Sequence, residues 1–480
     1  MTTTASARPQ ESSGWRPFCL TGLLGACLLG AACTPDEPEI AIEGERPATH
    51  EAFAAMLVES GLGRTIMGEE WLAAARAALA EPLEIVPPYA ESGGFVAHRA
   101  AALGLAFEAW DGQTLRLSFT RRGGSPALVF VELFQVRERG GDTRHIPLRA
   151  LGPEETSLTF TLPGDGRYVL RLQPELLAET LYDLRIELDA AIPFPIEGAA
   201  QSAGSFFGDP RDAGRRQHEG IDIFMPRNTP VVAVASGRAV ARSTPRGGNV
   251  VWLRTPGKSY YYAHLEKAAF SGARRVEVGE VLGYVGNSGN ARTTPPHLHF
   301  GVYRRGRGAV DPLPRLAPRR FEEAFAAVTF EPRYVTTAPP LLNLRGGPHR
   351  SADVIVQLPE GSILRAVARR GDWLRVRTPD NGGGWIHADY QRELEVLEDW
   401  RADGVTWLLD SVGPDARAVA VVSAEQTLKL LGRHGPHLLV RADDPRASGW
   451  IAGAGAEESP VALADDREPR EPGSATGAGS

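Results

Sequence analysis

From about Phe95 onward, apolar residues recur in short alternating runs instead of at helical spacing, and this period of two commits most of the chain to β-sheet. The runs include Leu115–Phe119 (LRLSF), Val129–Val136 (VFVELFQV), Ser157–Leu162, Tyr168 onward (YVLRLQP) and Tyr182 onward (YDLRIEL), with turn residues such as Asp111-Gly112, Gly123-Gly124 and Gly164-Asp165-Gly166 between them. That spacing predicts a β-sandwich over residues 83–190. At 480 residues the chain has room for about three domains of ordinary size, so the sandwich is one unit among several.

Ahead of it, residues 48–82 are mostly good helix formers, and Trp71, Leu72, Ala75, Ala78 and Leu79 fall on one side at helical spacing. Gly61 and Gly63 divide this segment, which predicts a packed helical hairpin. The stretch GDGRYVLRLQPEL…YDLRI is similar to small sandwich modules found beside secreted bacterial peptidases, and the resemblance implies a spacer or binding role.

Residues 192–204 are rich in Pro, Ala and Gly and read as a linker, with Phe194-Pro195-Ile196 already the first edge of the next domain. That central all-β domain is expected over 192–318. Its strands are Val231–Arg242, Asn249–Arg254, Ser259–Leu265, Val281–Gly286 and His297–Tyr303. A short helical connector is expected near Phe321–Ala327. Beyond it an internal repeat sets Gly371 against Gly435, Val376-Arg377 against Val440-Arg441, and Gly384-Trp385-Ile386 against Gly449-Trp450-Ile451. The repeat predicts two small barrels, over 334–396 and 404–453. The first, with LNLRGGPHRSADVIVQLPEG, GDWLRV and GGWIHADY, resembles bacterial SH3-like modules. The second is degenerate: it has lost the opening Asn-Leu-Arg segment, and His437 stands where the first has Trp373. Residues 454–480 carry Ala, Gly, Pro and charge with nothing to bury, and read as a disordered tail.

Residues 1–33 place Arg8 and Arg16 before an apolar run, Phe18–Ala32, that suits an export leader better than a membrane span. All three cysteines, Cys19, Cys27 and Cys33, lie within this segment, so no disulfide is expected in the remainder. The small residues before Cys33 and the polar TPDEPE after it resemble the lipobox of bacterial lipoproteins. That resemblance implies a lipid anchor on Cys33, although Leu24-Gly25-Ala26-Cys27 offers an alternative acceptor. The formal net charge of −7 argues against a broad nucleic-acid surface.

Four of the eleven histidines fall between Ser205 and Val302. Zinc bound for hydrolysis needs three protein ligands and an open position, and His218, Asp222 and His299 supply two imidazoles and a carboxylate. His218 and Asp222 lie four apart, in a segment whose Gly220, Ile221, Ile223 and Pro226 argue for a loop entering a strand, where both face one way. Asp222 stands where a His-Glu-x-x-His helix needs its second histidine, and on a strand Glu219 faces away from Asp222. His297 and His299 alternate with Leu298, so both rings point to one side while Leu298 and Phe300 bury the sheet. His264 closes a strand in which Tyr260 and Tyr262 are expected on its own face. Arg215 and Arg216 are candidate partners for substrate carboxylates.

Together with SFFGDPRDAGRRQHEGIDIFMPRNTPVVAVASGRAV, GEVLGYVGNSGN and HLHFGVYRRG…VDPL, these residues resemble the lysostaphin and LytM-type zinc endopeptidases of bacterial cell walls. The resemblance implies a duplicated hybrid-motif fold, one zinc per chain held by His218, Asp222 and His299, and His264 with His297 as an unligated catalytic pair, one a base and the other an oxyanion donor. It further implies peptidoglycan as substrate and an exported location in the bacterial envelope. Gly301 departs from the glutamate often found after His-x-His-Phe, which bears on substrate fit. Members that have lost metal ligands act as activators of other wall hydrolases; that reading, or an envelope scaffold, is the alternative, and all five site residues are present here.

Overall fold

The computed structural model describes residues 47–123, 127–196, 203–316, 330–413, 416–442 and 448–452. The export leader with Cys33, the connector near Phe321–Ala327 and the tail 454–480 lie outside the described residues. Among the described residues, no helix is long and apolar enough to cross a membrane.

Two helices, His50–Glu59 and Ile66–Ala80, open the described chain, and each starts on a threonine whose hydroxyl accepts from a first-turn amide: Thr49 from Ala52, Thr65 from Gly68. Trp71 is fully buried, and with Phe53 and Leu57 it packs on Leu128 and Phe130 of the sandwich. Its indole donates to Pro174 O at 2.8 Å, so the polar edge of this large ring is satisfied where it is buried.

The sandwich forms as expected from the alternation. One sheet runs in the order Leu83–Glu84, Leu103–Ala109, Gly166–Pro174, Val129–Arg139, Asp142–Ala150. The other contains Tyr89–Phe95, Thr180–Asp189, Thr114–Arg122 and Ser157–Thr161. Their inner faces share one core that includes Leu105, Leu133, Tyr168 and Ile186. The second sheet does not end at the sandwich. Tyr89–Phe95 also pairs with Ile363–Arg370 of the first barrel, Ser92 opposite Arg369 and Gly93 opposite Ala368, so sandwich and barrel share a sheet. Beneath that seam Glu91, completely buried, accepts from Tyr89 Oη (2.7 Å), Tyr182 Oη (2.6 Å) and Arg375 (2.8 Å).

The central domain is all β, with strand order Ala203–Ser205, Ile221–Phe224, His297–Arg304, Lys258–Ala268, Gly248–Thr255, Gly237–Thr244, Ala273–Val276. Ile192 and Ile196 are already buried in its core, and Pro195 O accepts from Val232 N at 2.8 Å, so the linker's end belongs to this domain. The expected single strand Val231–Arg242 is two: Pro230–Val232 pairs with Val281–Val285, whereas Gly237–Thr244 pairs with Gly248–Thr255. The chain turns between them because Ala233 and Val234 drop into the core, and apolar alternation alone does not register that change of partner. Lys258 with Asp111 (2.9 Å) and Arg315 with Asp165 (2.8 Å) tie this domain to two sandwich turns.

Both barrels are present. Gly371 and Gly435 each adopt a left-handed turn conformation, and Trp385 and Trp450 are both buried. The second barrel lacks the Asn-Leu-Arg segment but keeps a strand in its place: Thr406–Leu409 pairs with Ala418–Val422 and reaches Trp450, as Leu341–Arg345 pairs with Val354–Pro359 and reaches Trp385. The backbone ladder survives because its hydrogen bonds do not depend on the Asn-Leu-Arg side chains.

Candidate metal centre

Strand His297–Arg304 lies between Ile221–Phe224 and Lys258–Ala268, and register sets Asp222 and Ala263 directly opposite His299 on either side. The alternation that buries Ile221, Ile223, Leu298 and Phe300 in the core turns Asp222, His297 and His299 to the other face. His218 arrives from the loop that precedes Ile221, as read from the sequence.

His218 Nε2, Asp222 Oδ1 and His299 Nδ1 form a triangle with sides of 3.0, 2.9 and 2.9 Å. Gly220 permits the loop to approach this closely: a Cβ there would lie 2.4 Å from Phe300 O and 3.0 Å from His299 Nε2. His218 Nδ1 lies 2.8 Å from Phe206 O, and because a carbonyl only accepts, Nδ1 carries the proton and Nε2 presents a bare lone pair. That lone pair meets the carboxylate oxygen of Asp222 at 3.0 Å, one acceptor facing another. Burial raises the pKa of the Asp222 carboxyl, but the adjoining His218 and His299 imidazoles more than offset this and hold it well below the ordinary range; burial lowers that of the His299 imidazole. A dense set of acceptors with one carboxylate suits a divalent cation, and these three residues are the group among the described residues whose donor atoms gather within 4.8 Å.

Arg211 was not singled out from the sequence. It donates to Asp222 Oδ2 at 3.0 Å and to Ser205 Oγ, fixing the carboxylate oxygen that faces away from the triangle. Asp209 braces the same loop, accepting from Phe206 N at 2.8 Å and Ser205 Oγ at 3.1 Å. Only the cluster of charged residues before His218 hinted at this scaffold. Arg215 and Arg216, the candidate partners for substrate carboxylates, both contact Asp212: Arg216 pairs with its carboxylate at 2.5 Å, and Arg215 donates to its carbonyl at 3.2 Å.

His264 and His297 stand beside the triangle with ring centroids 5.0 Å apart, and His264 lies 6.0 Å from His299. Each is aimed by the device that aims His218. His264 Nδ1 donates to Ser288 O at 2.9 Å and His297 Nδ1 to Pro295 O at 2.9 Å, so both Nε2 atoms are left for the cleft. Burial lowers the His264 pKa to about 4. Tyr260 and Tyr262 do not share its face; both are buried in the core, Tyr262 bonded to Val234 N at 3.0 Å, and Tyr261 takes the cleft side, 5.8 Å from the His299 ring. The reason is backbone: His264 has φ +61° and the ladder shifts register at Leu265, so alternation counted through the strand reverses there. Glu219 faces away as expected and accepts from Tyr303 Oη at 3.0 Å. The Tyr303 ring lies against Gly301, 3.1 Å from where a Cβ would stand, and Trp252 and Tyr261 continue the aromatic row with centroids 4.5 Å apart.

An all-β sheet that gathers two imidazoles and a carboxylate at ligand spacing presents a candidate metal site. Residues 216–312 match the model of peptidase family M23, and residues 340–390 match that of the bacterial SH3 domain; the chain carries an M23 peptidase domain followed by a bacterial SH3 domain. It is similar to the L-Ala–D-Glu endopeptidase of Bacillus subtilis (strain 168), 38% identical over 146 residues, which are 28% of this chain and 44% of that protein. Similarity to lysostaphin of Staphylococcus simulans is 34% over 122 residues, 24% of each chain. The solved catalytic domain of lysostaphin from Staphylococcus simulans is 32% identical, with a TM-score of 0.21, covering 23% of this chain and 88% of that one. The chain thus spans less than half the length of these curated relatives.

Proposed function

We propose that this chain is a zinc-dependent endopeptidase that hydrolyses peptide bonds in the stem peptides or cross-links of peptidoglycan, exported to the bacterial envelope and anchored there through Cys33. The observation that carries the reading is the convergence of His218 Nε2, Asp222 Oδ1 and His299 Nδ1 with two further Nε2 lone pairs beside them. The relatives named L-Ala–D-Glu endopeptidase, lysostaphin and glycyl-glycine endopeptidase support a peptide bond of the wall as the target.

His218, Asp222 and His299 would hold the metal; two nitrogens and one oxygen suit zinc. A zinc ion held there would supply Lewis acidity towards a water and the scissile carbonyl. Phe206 O and Arg211 keep His218 and Asp222 in the tautomer and orientation that binding needs.

Since His264 and His297 both give their Nδ1 proton to backbone carbonyls, neither neutral ring can donate into the cleft. Each can accept at Nε2. Proton transfer from the attacking water to one of these atoms converts it into an N–H donor and prepares it to pass the proton to the leaving amine. The buried His264 is held neutral, hence able to accept, throughout the neutral range. Phe206 and Phe224, both partly exposed at the rim, supply apolar walls against which a substrate chain lies while water is displaced.

Metal analysis of the full chain checks the ligand assignment. The parent is expected to retain one zinc per chain after dialysis and His218→Ala none, with chelation of the parent ending hydrolysis of a stem-peptide substrate. Full zinc retention by His218→Ala, or hydrolysis unaffected by chelator, contradicts it.

A further inference from the structure

We propose that the junction of the sandwich with the two barrels is a second binding site, which takes the free carboxylate end of a short peptide. A cavity of about 80 Å³ lies there, lined by Phe95, Arg99, Arg365, Arg377, Asp410 and Trp450 among others. Arg365 and Arg377 stand directly opposite one another in adjacent antiparallel strands, so two guanidinium groups reach the cavity from one surface.

The charges around it do not balance. Asp410 is the acid among the lining residues, and it is already engaged, accepting from Arg99 Nε at 2.6 Å and from Arg417 N at 2.9 Å. Arg375 is paired with the buried Glu91 at 2.8 Å. Arg365 rests its guanidinium 5.7 Å over the Tyr334 ring without an acidic partner among the described residues, and Arg377 makes neither a hydrogen bond nor an ion pair among them. A partly buried guanidinium with no anion is costly, and the cost falls when an oxyanion binds. Burial, then the neighbouring Arg99, Arg375 and Arg365, lower the Arg377 pKa to about 10; burial, then Arg365, lower that of His98 to about 4. Burial is the larger cause of each shift, and the neighbouring guanidinium groups add to it.

Paired guanidinium forks match a carboxylate or a phosphate. The apolar part of the wall, from Phe95, Ile363 and Trp450, decides between them: it accommodates carbon attached to the oxyanion, as at a peptide's last residue. A wider cleft of about 430 Å³, which shares Arg99, Ala101 and Arg377, runs from this cavity along Ala74 and Ala78 of the second helix and gives room for the preceding residues. Resting on the wall-directed reading above, the source is the free end of a stem peptide; the chemistry stands without that reading.

The test is calorimetric titration of the full chain with N-acetyl-alanyl-alanine, with its C-terminal amide and with inorganic phosphate, alongside Arg377→Gln and Arg377→Lys. The acid is expected to bind at least about tenfold more tightly than the amide or phosphate, with the preference lost in Arg377→Gln and partly kept in Arg377→Lys. Without ligand, Arg377→Gln is expected to melt no lower than the parent, because it relieves repulsion. Equal binding of acid and amide, no binding, phosphate binding as tightly as the acid, or an unchanged preference in Arg377→Gln overturns the proposal. A lowered melting temperature in Arg377→Gln, which would make the arginine structural, also overturns it. Retained acid binding without any peptidoglycan cleavage contradicts the peptidase reading alone, whereas cleavage without acid binding contradicts this site alone.

Discussion

Three of the four imidazoles in the cleft are aimed by one arrangement, Nδ1–H donated to a backbone carbonyl, and Arg211 does the corresponding work for Asp222 from a loop whose sequence carries no ligand signature. Removing a partner of this kind from a metal-binding side chain typically costs about 10–100-fold in metal affinity. Arg211→Ala is therefore expected to weaken zinc binding by about that factor, measured by competition with a chromophoric chelator, with the fold intact by circular dichroism. His264→Ala and His297→Ala are expected to keep the metal and to lose about 10²–10⁴-fold in kcat, the range for a positioned acid or base. That these five residues gather in one place was legible because their types and order are specific. Arg211 was not, because one arginine among several charges carries no mark of which carboxylate it meets.

At the scale of elements, period-two alternation located the strands and the faces of His297 and His299, but failed wherever the backbone leaves the ladder. His264, at φ +61° in a shifted register, reverses the parity on which the placement of Tyr260 and Tyr262 depended. The turn after Val232 separated one apolar run into two strands with different partners. The second barrel's opening strand was illegible for the opposite reason: its hydrogen bonds persist where its side-chain motif does not. How closely two elements approach is equally hidden, and Gly220 is the test. Gly220→Ala touches no ligand atom chemically, yet its Cβ would stand 2.4 Å from Phe300 O and 2.9 Å from His299 Cε1. The variant is expected to lose zinc occupancy in metal analysis to nearly the same degree as a ligand substitution; unchanged occupancy would show that the loop relaxes freely.

Across the molecule, the sandwich and first barrel are joined by a continued sheet and by Glu91 with Arg375, a connection that no local pattern in either segment announces. Breaking such a buried pair from one side leaves an uncompensated charge and costs about 3–5 kcal/mol. Glu91→Ala is expected to lose about that much in urea unfolding, and Glu91→Leu combined with Arg375→Leu to recover most of it. His98 adds a pH dependence at the same junction. Its folded pKa, about 4, lies below the unfolded value near 6.5, so the unfolded chain binds more protons between those values. Stability from His98 is complete above that window and is lost as pH falls through it. Urea midpoints are expected to fall from pH 6.5 to 4 more steeply in the parent than in His98→Gln.

Release of new amino termini from purified peptidoglycan reads out whether the five clustered residues cut peptide bonds of the wall. The zinc-loaded chain is compared with zinc-loaded His297→Ala on sacculi of several cross-link types. Termini are expected from the parent and not from the variant, with the cut bond read by mass. Bound zinc with no release by either protein, or equal release by both, would contradict that expectation.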